Sequence, residues 1–447
     1  MPKIIHIPFV YFPDARAAGV EVYVQSLCHH LQQMGFDNVI AALGETDQVY
    51  DYEGIKVYRY SLPQAEKSLS EIYGEGSKIA ADKLERILQF ENPDLVHIHA
   101  YVRRAALQQA RTIKQKKIPL IFTYHGANVS CPRASLLRWG KEICNGILKS
   151  MTCTQCYLQS LGAGRLVSFG FGILPPVLTR YIGKSGLKGD VFTAIQMRGL
   201  IESFQLNLRE FFDLADHFVA PARWVYQLLV SNNIAAEKIS LVPHGSVFEG
   251  NFEADIADPG KPVSENAIKN KIRLAFFGRL HPCKGLDLLT GVFYDHPDLE
   301  MELHIYGIQG PDAGYQYGDM LKRASSGDSR IKFHPCVSHP EMKKIMSGYD
   351  AIVVPSQWME TGPMIILEAF SAGVPVIASK LGGVLEIVEH DKTGFLIDPF
   401  SAEEWYQTLK KIQADSQMLR NVRRRIKCPR TMMQVSTQMV EIYKKHL

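Results

Sequence analysis

The sequence predicts an α/β protein with two doubly wound domains. Short apolar runs typical of buried strands alternate with longer helical patterns from residue 4 to about residue 221. A segment at 248–270, rich in Asn, Asp, Glu, Gly and Pro, interrupts this alternation, which then starts again at residue 272. A chain of 447 residues is long enough for two cores of ordinary size. We therefore expect domains at 1–247 and 271–427, joined by a linker at 248–270.

The first half of the chain carries the elements of one parallel sheet. The predicted strands are residues 4–11, 39–43, 56–60, 94–99, 119–125 and 216–221, and the predicted helices are 19–34, 76–90, 103–116 and 192–212. In such a sheet ligands bind at the carboxyl ends of the strands. Three histidines, His97, His99 and His125, fall at these ends.

The second half repeats the pattern. Its predicted strands are residues 272–280, 302–306, 331–334, 351–355, 375–379 and 394–397, and a last helix is expected at about 431–445. Helical segments fill the gaps between these strands. A second parallel sheet with helices on both faces follows from this alternation.

Charge is spread unevenly along the chain, although the net charge is only +4. Residues 97–225 carry 17 basic and 6 acidic side chains, an excess of 11. Such an excess suits an anionic membrane surface, a phosphorylated lipid or a nucleic acid, and it also suits a merely solvated face. The apolar run at 166–174 lies in this segment; it is too short to span a bilayer, but an amphipathic surface contact remains open.

The N-terminus and the cysteines bear on the compartment. Residues 1–6 enter a strand-like run directly, so no signal peptide is expected. Eight cysteines without a secretory signal favour a reducing compartment. We therefore expect a cytoplasmic protein, with peripheral contact to the inner membrane face as an open alternative.

The stretch 358–369 contains the clearest candidate for a binding site. Glu360 and Glu368 are separated by seven residues, and Gly362-Pro363 lies between them. Gly362 is predicted as the N-cap of a helix that begins at Pro363, since proline is tolerated at the first helical position. The free N–H groups that follow would bind phosphate oxygens, and the two carboxylates would hold sugar hydroxyls. An ordinary capped helix with two solvated acids is the alternative.

Two cations follow the first strand of the second half. Arg279 and Lys284 lie in the sequence Gly-Arg-Leu-His-Pro-Cys-Lys-Gly at 278–285. Arginine offers a fork to phosphate oxygens and lysine a point charge. Together with the helix start at Pro363, they predict a diphosphate site.

Four cysteines form a second constellation. Cys131, Cys144, Cys153 and Cys156 follow His125, and the last two have the Cys-x-x-Cys spacing of a zinc knuckle. The gaps of twelve and eight residues are not standard for such a site. The cluster favours a structural metal such as zinc, with small buried thiols or a redox pair as alternatives.

Taken together, these motifs resemble one family. The chain resembles the retaining GT-B-fold glycosyltransferases, the large family that includes sucrose synthases and bacterial mannosyltransferases. The matching stretches are the two acids at 360 and 368, Gly-Arg-Leu at 278–280 with Lys-Gly at 284–285, Val-Pro-Ser at 354–356, Gly-Val-Pro-Val-Ile-Ala at 373–378, Gly-Gly at 382–383 with Glu386, and Gly-Phe-Leu at 394–396. The likeness extends over essentially the whole chain.

The resemblance implies a fold and a set of roles. It implies two Rossmann-like domains facing a cleft, with residues 428–447 crossing back to complete the first domain. Arg279 and Lys284 would bind the donor diphosphate, and Glu368 would hold the ribose. The full implied set comprises the catalytic residues His125 and Glu360 and the donor-binding residues Gly19, Arg279, Lys284, Gly362, Pro363, Met364, Ile365 and Glu368.

Two departures from the family pattern stand out. The family usually has a glycine pair in the first loop, where this chain has Ala18-Gly19, so Gly19 alone must allow the backbone to approach the diphosphate. Many members have Pro-Phe-Gly after the first acid, where this chain has Thr361-Gly362-Pro363. The second change still allows a tight entry into the helix.

The expected function follows from the resemblance. We expect sugar transfer with retention of configuration from a nucleoside diphosphate sugar to a sugar or lipid-linked acceptor, in bacterial cell-surface polysaccharide or glycolipid synthesis. No catalytic metal and no nucleic-acid partner are expected. The alternatives are a GT-B-fold nucleotide-sugar epimerase and a non-catalytic protein that binds zinc or nucleic acid through the basic segment and the cysteines. A dehydrogenase is disfavoured because neither glycine-containing loop has the Gly-x-Gly-x-x-Gly pattern.

Overall fold

The computed structural model describes residues 1–14, 17–62, 72–184, 189–248, 271–308 and 314–447. The chain divides into two compact units. Unit 1 comprises Met1–Pro243 and Ser436–Leu447, and unit 2 comprises His244–Val435. Most of the predicted linker, residues 249–270, lies outside the described residues.

Unit 1 is built on an eight-stranded sheet. Its strands, in chain order, are β1 Lys3–Ile7, β2 Asp37–Gly44, β3 Gln48–Tyr52, β4 Ile55–Ser61, β5 Leu95–Ile98, β6 Leu120–Thr123, β9 His217–Ala220 and β10 Ile239–Leu241; a separate small hairpin contains β7 Leu137–Arg138 and β8 Glu142–Ile143. The sheet order is β10-β9-β6-β5-β1-β2-β4-β3. All pairs are parallel except β3 with β4. The strand order reverses direction between β1 and β5, which is the point where doubly wound sheets bind ligands.

The helices of unit 1 cover this sheet and extend beyond it. They are α1 Gly19–Gln33, α2 Lys78–Glu91, α3 Ala106–Gln115, α4 Ser150–Ser160, α5 Arg165–Ile173, α6 Pro176–Lys184, α7 Asp190–Leu214 and α8 Arg223–Ser231, together with the C-terminal part of α16 Met432–Lys444. The predicted apolar run at 166–174 forms most of α5. In the described part of the chain, no helix has the length and apolar character needed to cross a membrane.

Unit 2 is built on a six-stranded, fully parallel sheet. Its strands are β11 Ile272–Arg279, β12 Met301–Ile308, β13 Ile331–His334, β14 Ala351–Val354, β15 Val376–Ser379 and β16 Gly394–Ile397. The order is β13-β12-β11-β14-β15-β16, so the reversal lies between β11 and β14. Apolar side chains pack on both faces, with Trp405 fully buried on one of them.

The helices of unit 2 connect these strands. They are α9 Leu286–Asp295, α10 Gly314–Ala324, α11 His339–Met346, α12 Met364–Ser371, α13 Val384–Ile387, α14 Ala402–Ala414 and α15 Gln417–Arg423, followed by the first residues of α16. A bridge between Ser246 and Thr431 ties the segment before α16 to the start of this unit. The α/β class and the parallel sheets predicted from the sequence are confirmed.

Candidate active site

The loop that leaves β11 is locked onto the loop that leaves β14. Gly285 follows a short 3-10 turn at Pro282–Lys284 and has a φ of +66°. A Cβ atom at Gly285 would lie 2.1 Å from the carbonyl oxygen of Pro355. The backbone N–H of Gln357 also donates to the carbonyl of Cys283 at 2.7 Å. The two loops therefore meet at the reversal point of the unit 2 sheet.

Lys284 and Glu360 form an ion pair at this point. The Nζ atom of Lys284 lies 2.7 Å from Oε1 of Glu360, and the hydroxyl of Ser356 donates to the same oxygen at 2.9 Å. The ammonium group also lies 5.2 Å from the ring centre of Trp358. Only 8% of the Glu360 side chain is exposed. The sequence predicted both charges, and the structure places them in contact.

The environment keeps Glu360 ionised. Burial alone would raise the pKa of this carboxyl group, but the charge of Lys284 and the hydrogen bonds that the carboxylate accepts outweigh burial, so the pKa lies below its usual value. At neutral pH the site therefore contains a buried carboxylate in contact with the ammonium group of Lys284.

The Gly382-Gly383 pair packs against the backbone of Glu360 and Thr361. The N–H of Gly383 donates to the carbonyl of Glu360 at 2.7 Å. Gly382 has a φ of +58°, and a Cβ atom there would lie 2.7 Å from the same carbonyl oxygen. A Cβ atom at Gly383 would lie 2.8 Å from the carbonyl oxygen of Thr361. Larger residues at 382 or 383 would thus displace the loop that carries the acid.

Helix α12 begins one residue later than predicted. It runs from Met364 to Ser371, and its N-cap is Pro363 rather than Gly362. Pro363 has a helical φ of −66° but an extended ψ of 109°, so the proline ring is accommodated before the first helical residue. Its carbonyl accepts from the N–H of Ile366 at 3.0 Å. The positive end of the helix consequently starts at Met364 and Ile365, as the phosphate-site hypothesis requires.

Two histidines contact this region. Nδ1 of His244 donates to the carbonyl of Gly362 at 2.8 Å, which fixes the turn before α12. Nε2 of His339 lies 3.0 Å from Oε1 of Glu368, which is itself buried in the second turn of α12. Arg279, the last residue of β11, is exposed.

In unit 1, the predicted site residues also lie at the carboxyl edge of the sheet. His125 follows β6, and its Nε2 atom lies 3.3 Å from Nδ1 of His99. The ring of Tyr23 packs edge-on against His125, with 4.9 Å between ring centres. Gly19 is the first residue of α1, and among the described residues outside its own helix and its chain neighbours no atom lies within 4 Å of the position that a Cβ atom would take.

Burial, and then the nearby thiols of Cys131, Cys144 and Cys156, raise the pKa of the Cys153 thiol to about 11, so the other three cysteines lie near Cys153. Cys156 accepts from the backbone N–H of Trp139 at 3.3 Å and from Arg133 at 3.6 Å. Among the described residues, the sulfur atoms of no three of these cysteines lie within 4.8 Å of one another. Metal binding by Cys131, Cys144, Cys153 and Cys156 thus stays a prediction, and metal analysis of the purified protein, with Cys153→Ser beside the exposed Cys336→Ser as control, tests it.

Several residues of the unit 2 site, among them His339, Ser356 and His244, were not predicted as site residues. His339 starts a helix shortly after β13, and the strand-end rule that singled out Arg279 could have found it. Ser356 lay within a matching motif but had received no role. His244 lies far from Gly362 in sequence, and no local pattern signals that contact.

Comparisons with known proteins agree with this architecture. Residues 261–427 match the family of Glycosyl transferases group 1, and residues 17–156 match Glycosyltransferase Family 4. A D-inositol 3-phosphate glycosyltransferase from Arthrobacter sp. (strain FB24) is 27% identical over 201 residues, which cover 41% of this chain and 47% of that protein. The chain thus spans about half the length of the curated relatives that it matches.

Solved structures show the same fold. Sucrose-phosphate synthase from Thermosynechococcus elongatus has a TM-score of 0.66 at 16% identity, covering 100% of this chain and 99% of that one. HepE from Anabaena, solved in complex with UDP and glucose, has a TM-score of 0.65 at 16% identity, covering 99% of this chain and 100% of that one. The chain thus carries a Glycosyl transferases group 1 domain at 261–427 and a Glycosyltransferase Family 4 domain at 17–156, and its fold is that of the GT-B glycosyltransferases.

Proposed function

We propose that this protein transfers a sugar from a nucleoside diphosphate sugar to an acceptor, with retention of configuration and without a catalytic metal. The observation that carries the proposal is the pair of Lys284 and Glu360 beside the start of α12, at the reversal point of the unit 2 sheet. A cation, a helix N-terminus and a buried acid at one point suit a diphosphate joined to a sugar.

The charges divide between the parts of the donor. The side chains of Arg279 and Lys284 and the N–H groups of Met364 and Ile365 would neutralise the diphosphate as its bond to the sugar breaks. Glu360 would accept from hydroxyls of the donor sugar. Glu368, held by His339, would accept from the ribose hydroxyls.

Arg279 and Lys284 supply the positive charge that a metal ion would otherwise provide to the diphosphate. The carboxylate of Glu360 already accepts from Lys284 and Ser356, and that of Glu368 contacts His339. Both acids are thus engaged by protein donors. Neutralisation of the leaving group by protein cations and the helix start supports a metal-independent reaction.

Retention and the role of His125 rest on the family resemblance. In that assignment His125 meets the donor sugar as a neutral hydrogen-bonding partner, and the acceptor attacks the face from which the nucleotide leaves. The acceptor is a sugar or a lipid-linked sugar, and cell-surface polysaccharide or glycolipid synthesis is the proposed setting.

A donor assay tests the proposal. The purified chain is incubated with UDP-, GDP- and ADP-sugars in the presence of EDTA, uridine nucleotides first because HepE binds UDP. Thermal shift identifies the donor, since a ligand that binds only the folded state raises the apparent stability. Proton NMR at early times then reports the anomer of the sugar that is released or transferred.

The expected result is one preferred donor and a product with the anomeric configuration of that donor. Lys284→Ala should abolish turnover, and Lys392→Ala, which removes an exposed lysine of the same unit, should leave it unchanged. An inverted product, a strict need for a divalent ion, or release of an isomerised free sugar would each overturn the corresponding part of the proposal.

An anionic membrane is the proposed location of the acceptor. Helices α5 and α6 expose large apolar side chains: Leu166 is 89%, Phe169 53%, Val177 77% and Tyr181 76% exposed. Arg165, at the start of α5, is exposed beside them. Apolar side chains with adjacent cations suit insertion at a lipid interface.

Some of the basic side chains in residues 97–225 form ion pairs within unit 1. Arg111 pairs with Glu210 and Glu75, and Lys114 pairs with Asp216. Neutralising these two cations would therefore disturb contacts within unit 1 as well as any membrane contact. The apolar face of α5 and α6 offers a cleaner test.

Co-sedimentation with anionic vesicles provides that test. Wild type should bind vesicles of phosphatidylglycerol at low salt, and Leu166→Ser with Val177→Ser should bind several-fold less. Val49→Ser with Leu447→Ser, which removes two exposed aliphatic side chains elsewhere in unit 1, is the matched control. Equal binding by both double variants would reject the helical face, and no binding by wild type would reject the membrane.

A further inference from the structure

Unit 1 contains a row of buried imidazoles that the proposed reaction does not yet use. His6 lies on β1, His97 on β5, and His99 directly after β5. All three side chains are essentially inaccessible to solvent. Because β2, β1, β5 and β6 are neighbours in the sheet, this row runs from Asn38 on β2 to His125 after β6.

These side chains form one continuous hydrogen-bonded chain. Oδ1 of Asn38 lies 3.0 Å from Nε2 of His6. Nδ1 of His6 lies 3.1 Å from Nε2 of His99, and Nδ1 of His99 lies 3.3 Å from Nε2 of His125. Each intermediate imidazole uses both of its nitrogens.

The amide of Asn38 sets the direction of the chain. Its Nδ2 atom donates to the carbonyls of Cys28 at 3.3 Å and Phe36 at 3.2 Å. Two carbonyl acceptors require the amino group on that side, so the amide oxygen faces His6. That oxygen can only accept, and Nε2 of His6 must therefore carry a hydrogen.

The rest of the chain follows by counting protons. A neutral imidazole has one N–H, so Nδ1 of His6 is an acceptor and Nε2 of His99 must donate to it. Nδ1 of His99 is then an acceptor in turn, and Nε2 of His125 donates to it. When His125 is neutral, its lone pair therefore lies on Nδ1.

The surroundings keep the two internal imidazoles neutral. Burial lowers the pKa of His6 to about 4 and that of His99 well below its usual value. His97 stands beside the chain: it lies 2.7 Å from both Tyr443 Oη and Thr123 Oγ1, and its ring centre is 3.8 Å from that of His99. His97 therefore packs against His99 but does not form one of the hydrogen bonds between Asn38 and His125.

A metal ion is a poorer occupant of this cluster. The ligand atoms of His6, His97 and His99 lie within 4.8 Å of one another. However, both nitrogens of each ring already lie within hydrogen-bond distance of a partner. Coordination would require these hydrogen bonds to be given up.

We propose that Asn38, His6 and His99 are positioning residues that fix His125 as the Nε2–H tautomer, so that Nδ1 accepts a hydrogen bond from a sugar hydroxyl. The last step rests on the proposed function, whereas the tautomer itself does not. A sugar carboxylate facing Nδ1 of the neutral ring would place two acceptors together. The row of hydrogen bonds therefore favours a donor sugar that presents a hydroxyl to Nδ1 of His125.

Two variants at position 38 separate positioning from stability. Asn38→Leu and Asn38→Asp both lose the amino group that donates to Cys28 and Phe36, so both disturb the fold. Aspartate keeps an oxygen facing His6, and leucine does not. The tautomer of His125 should survive in Asn38→Asp and become mixed in Asn38→Leu.

Nitrogen NMR of histidine-labelled protein measures the tautomer directly. The signals of His125 are assigned by their loss in His125→Gln, and long-range couplings from the ring protons distinguish the protonated nitrogen from the lone-pair nitrogen. Wild type should show hydrogen on Nε2. Hydrogen on Nδ1 in wild type, or an unchanged tautomer in Asn38→Leu, would overturn the proposal.

Kinetics with the identified donor gives the second measurement. Asn38→Leu should lower kcat about tenfold with little change in the KM for the donor, as expected for one lost hydrogen bond. Asn38→Asp should largely restore it, and Thr123→Val, which removes a buried contact of His97 outside the chain, should stay near wild type. Equal losses in the two position-38 variants would overturn the positioning role. If no donor is found but the tautomer is as stated, the proposed function fails and the fixed tautomer stands.

Discussion

The two units place their candidate site residues at equivalent positions of the sheet, but the residues are charged in unit 2 and mainly imidazoles in unit 1. Both place side chains at the carboxyl edge of a parallel sheet, at the point where the strand order reverses. In unit 2 that point holds an ion pair, Lys284 with Glu360, and a helix start. In unit 1 it holds a row of imidazoles linked from Asn38 to His125, in which burial keeps His6 and His99 neutral. A shared fold thus specifies where a site lies and leaves its electrostatics to a few side chains.

This contrast predicts that unit 2 is the more sensitive to the loss of one charge. Lys284→Ala leaves Glu360 buried without its cation, so the pKa of that carboxyl should rise and the free energy of unfolding should fall by about 3–5 kcal/mol. Urea denaturation measures the change. Lys392→Ala is the control, and equal stability of the two variants would show that the ion pair contributes nothing.

A backbone substitution tests the same loop without removing charge. Gly285→Ala introduces a Cβ atom 2.1 Å from the carbonyl of Pro355 at a φ of +66°. We expect a loss of about 3 kcal/mol in the free energy of unfolding. Gly291→Ala, in α9, should cost nothing or stabilise, because no described atom outside its own helix lies within 4 Å of the added Cβ. A Gly285→Ala variant as stable as Gly291→Ala would contradict the locked-loop geometry.

Acid should act on the histidine chain of unit 1 in its own pH window. The pKa of His6 is lowered from 6.5 to about 4 in the folded state. Between these two pH values the unfolded chain therefore binds a proton at His6 that the folded chain does not bind. Its contribution to stability is complete above pH 6.5 and is lost as the pH falls towards 4. The pKa of Glu360 is lowered from a starting value of 4.5, so its contribution is lost only at lower pH.

Denaturation at pH 7.5 and pH 5.0 measures this difference. His6 alone should contribute about 2 kcal/mol of destabilisation between these two pH values. His6→Asn should reduce the pH dependence by that amount, whereas Glu360→Gln should leave it unchanged in this range. The same pH dependence in wild type and His6→Asn would mean that His6 is protonated in the folded protein.

The smallest expected effect concerns nucleotide recognition in unit 2. Glu368→Ala should weaken nucleotide binding about tenfold, because one hydrogen-bonding acid is lost from the ribose. His339→Ala should weaken it less, since His339 acts through Glu368. Glu360→Ala should mainly lower turnover. Wild-type kinetics in both acid variants would contradict the division of roles.

The sequence predicted the two regions to different degrees, because the contacts in them differ in their separation along the sequence. In unit 2 the acids, the proline and both cations stand in short local motifs, and the ends of β11 and β14 bring Lys284 and Glu360 into contact. The helix start lies one residue later than predicted, because Pro363 combines a helical φ with an extended ψ. The His244 contact with Gly362 spans 118 positions and has no local signal.

In unit 1 the hydrogen-bonded row joins side chains that lie on, or shortly after, four different strands. His97, His99 and His125 were recognisable as strand-end histidines, but His6 and Asn38 were not, because their roles appear only when β1 and β2 lie beside β5. Hydrogen-bond direction depends in addition on the carbonyls of Cys28 and Phe36. No sequence pattern encodes such a direction.

Calorimetric titration of UDP, GDP and ADP tests the central comparison most directly. In the proposed mechanism the nucleotide binds to unit 2, and His125 of unit 1 contacts only the sugar. One of the three nucleotides should therefore bind wild type and His125→Ala with equal affinity, and bind Lys284→Ala at least tenfold more weakly, about 1.4 kcal/mol or more. Full nucleotide affinity in folded Lys284→Ala, or its loss in folded His125→Ala, would contradict the assignment of the donor site.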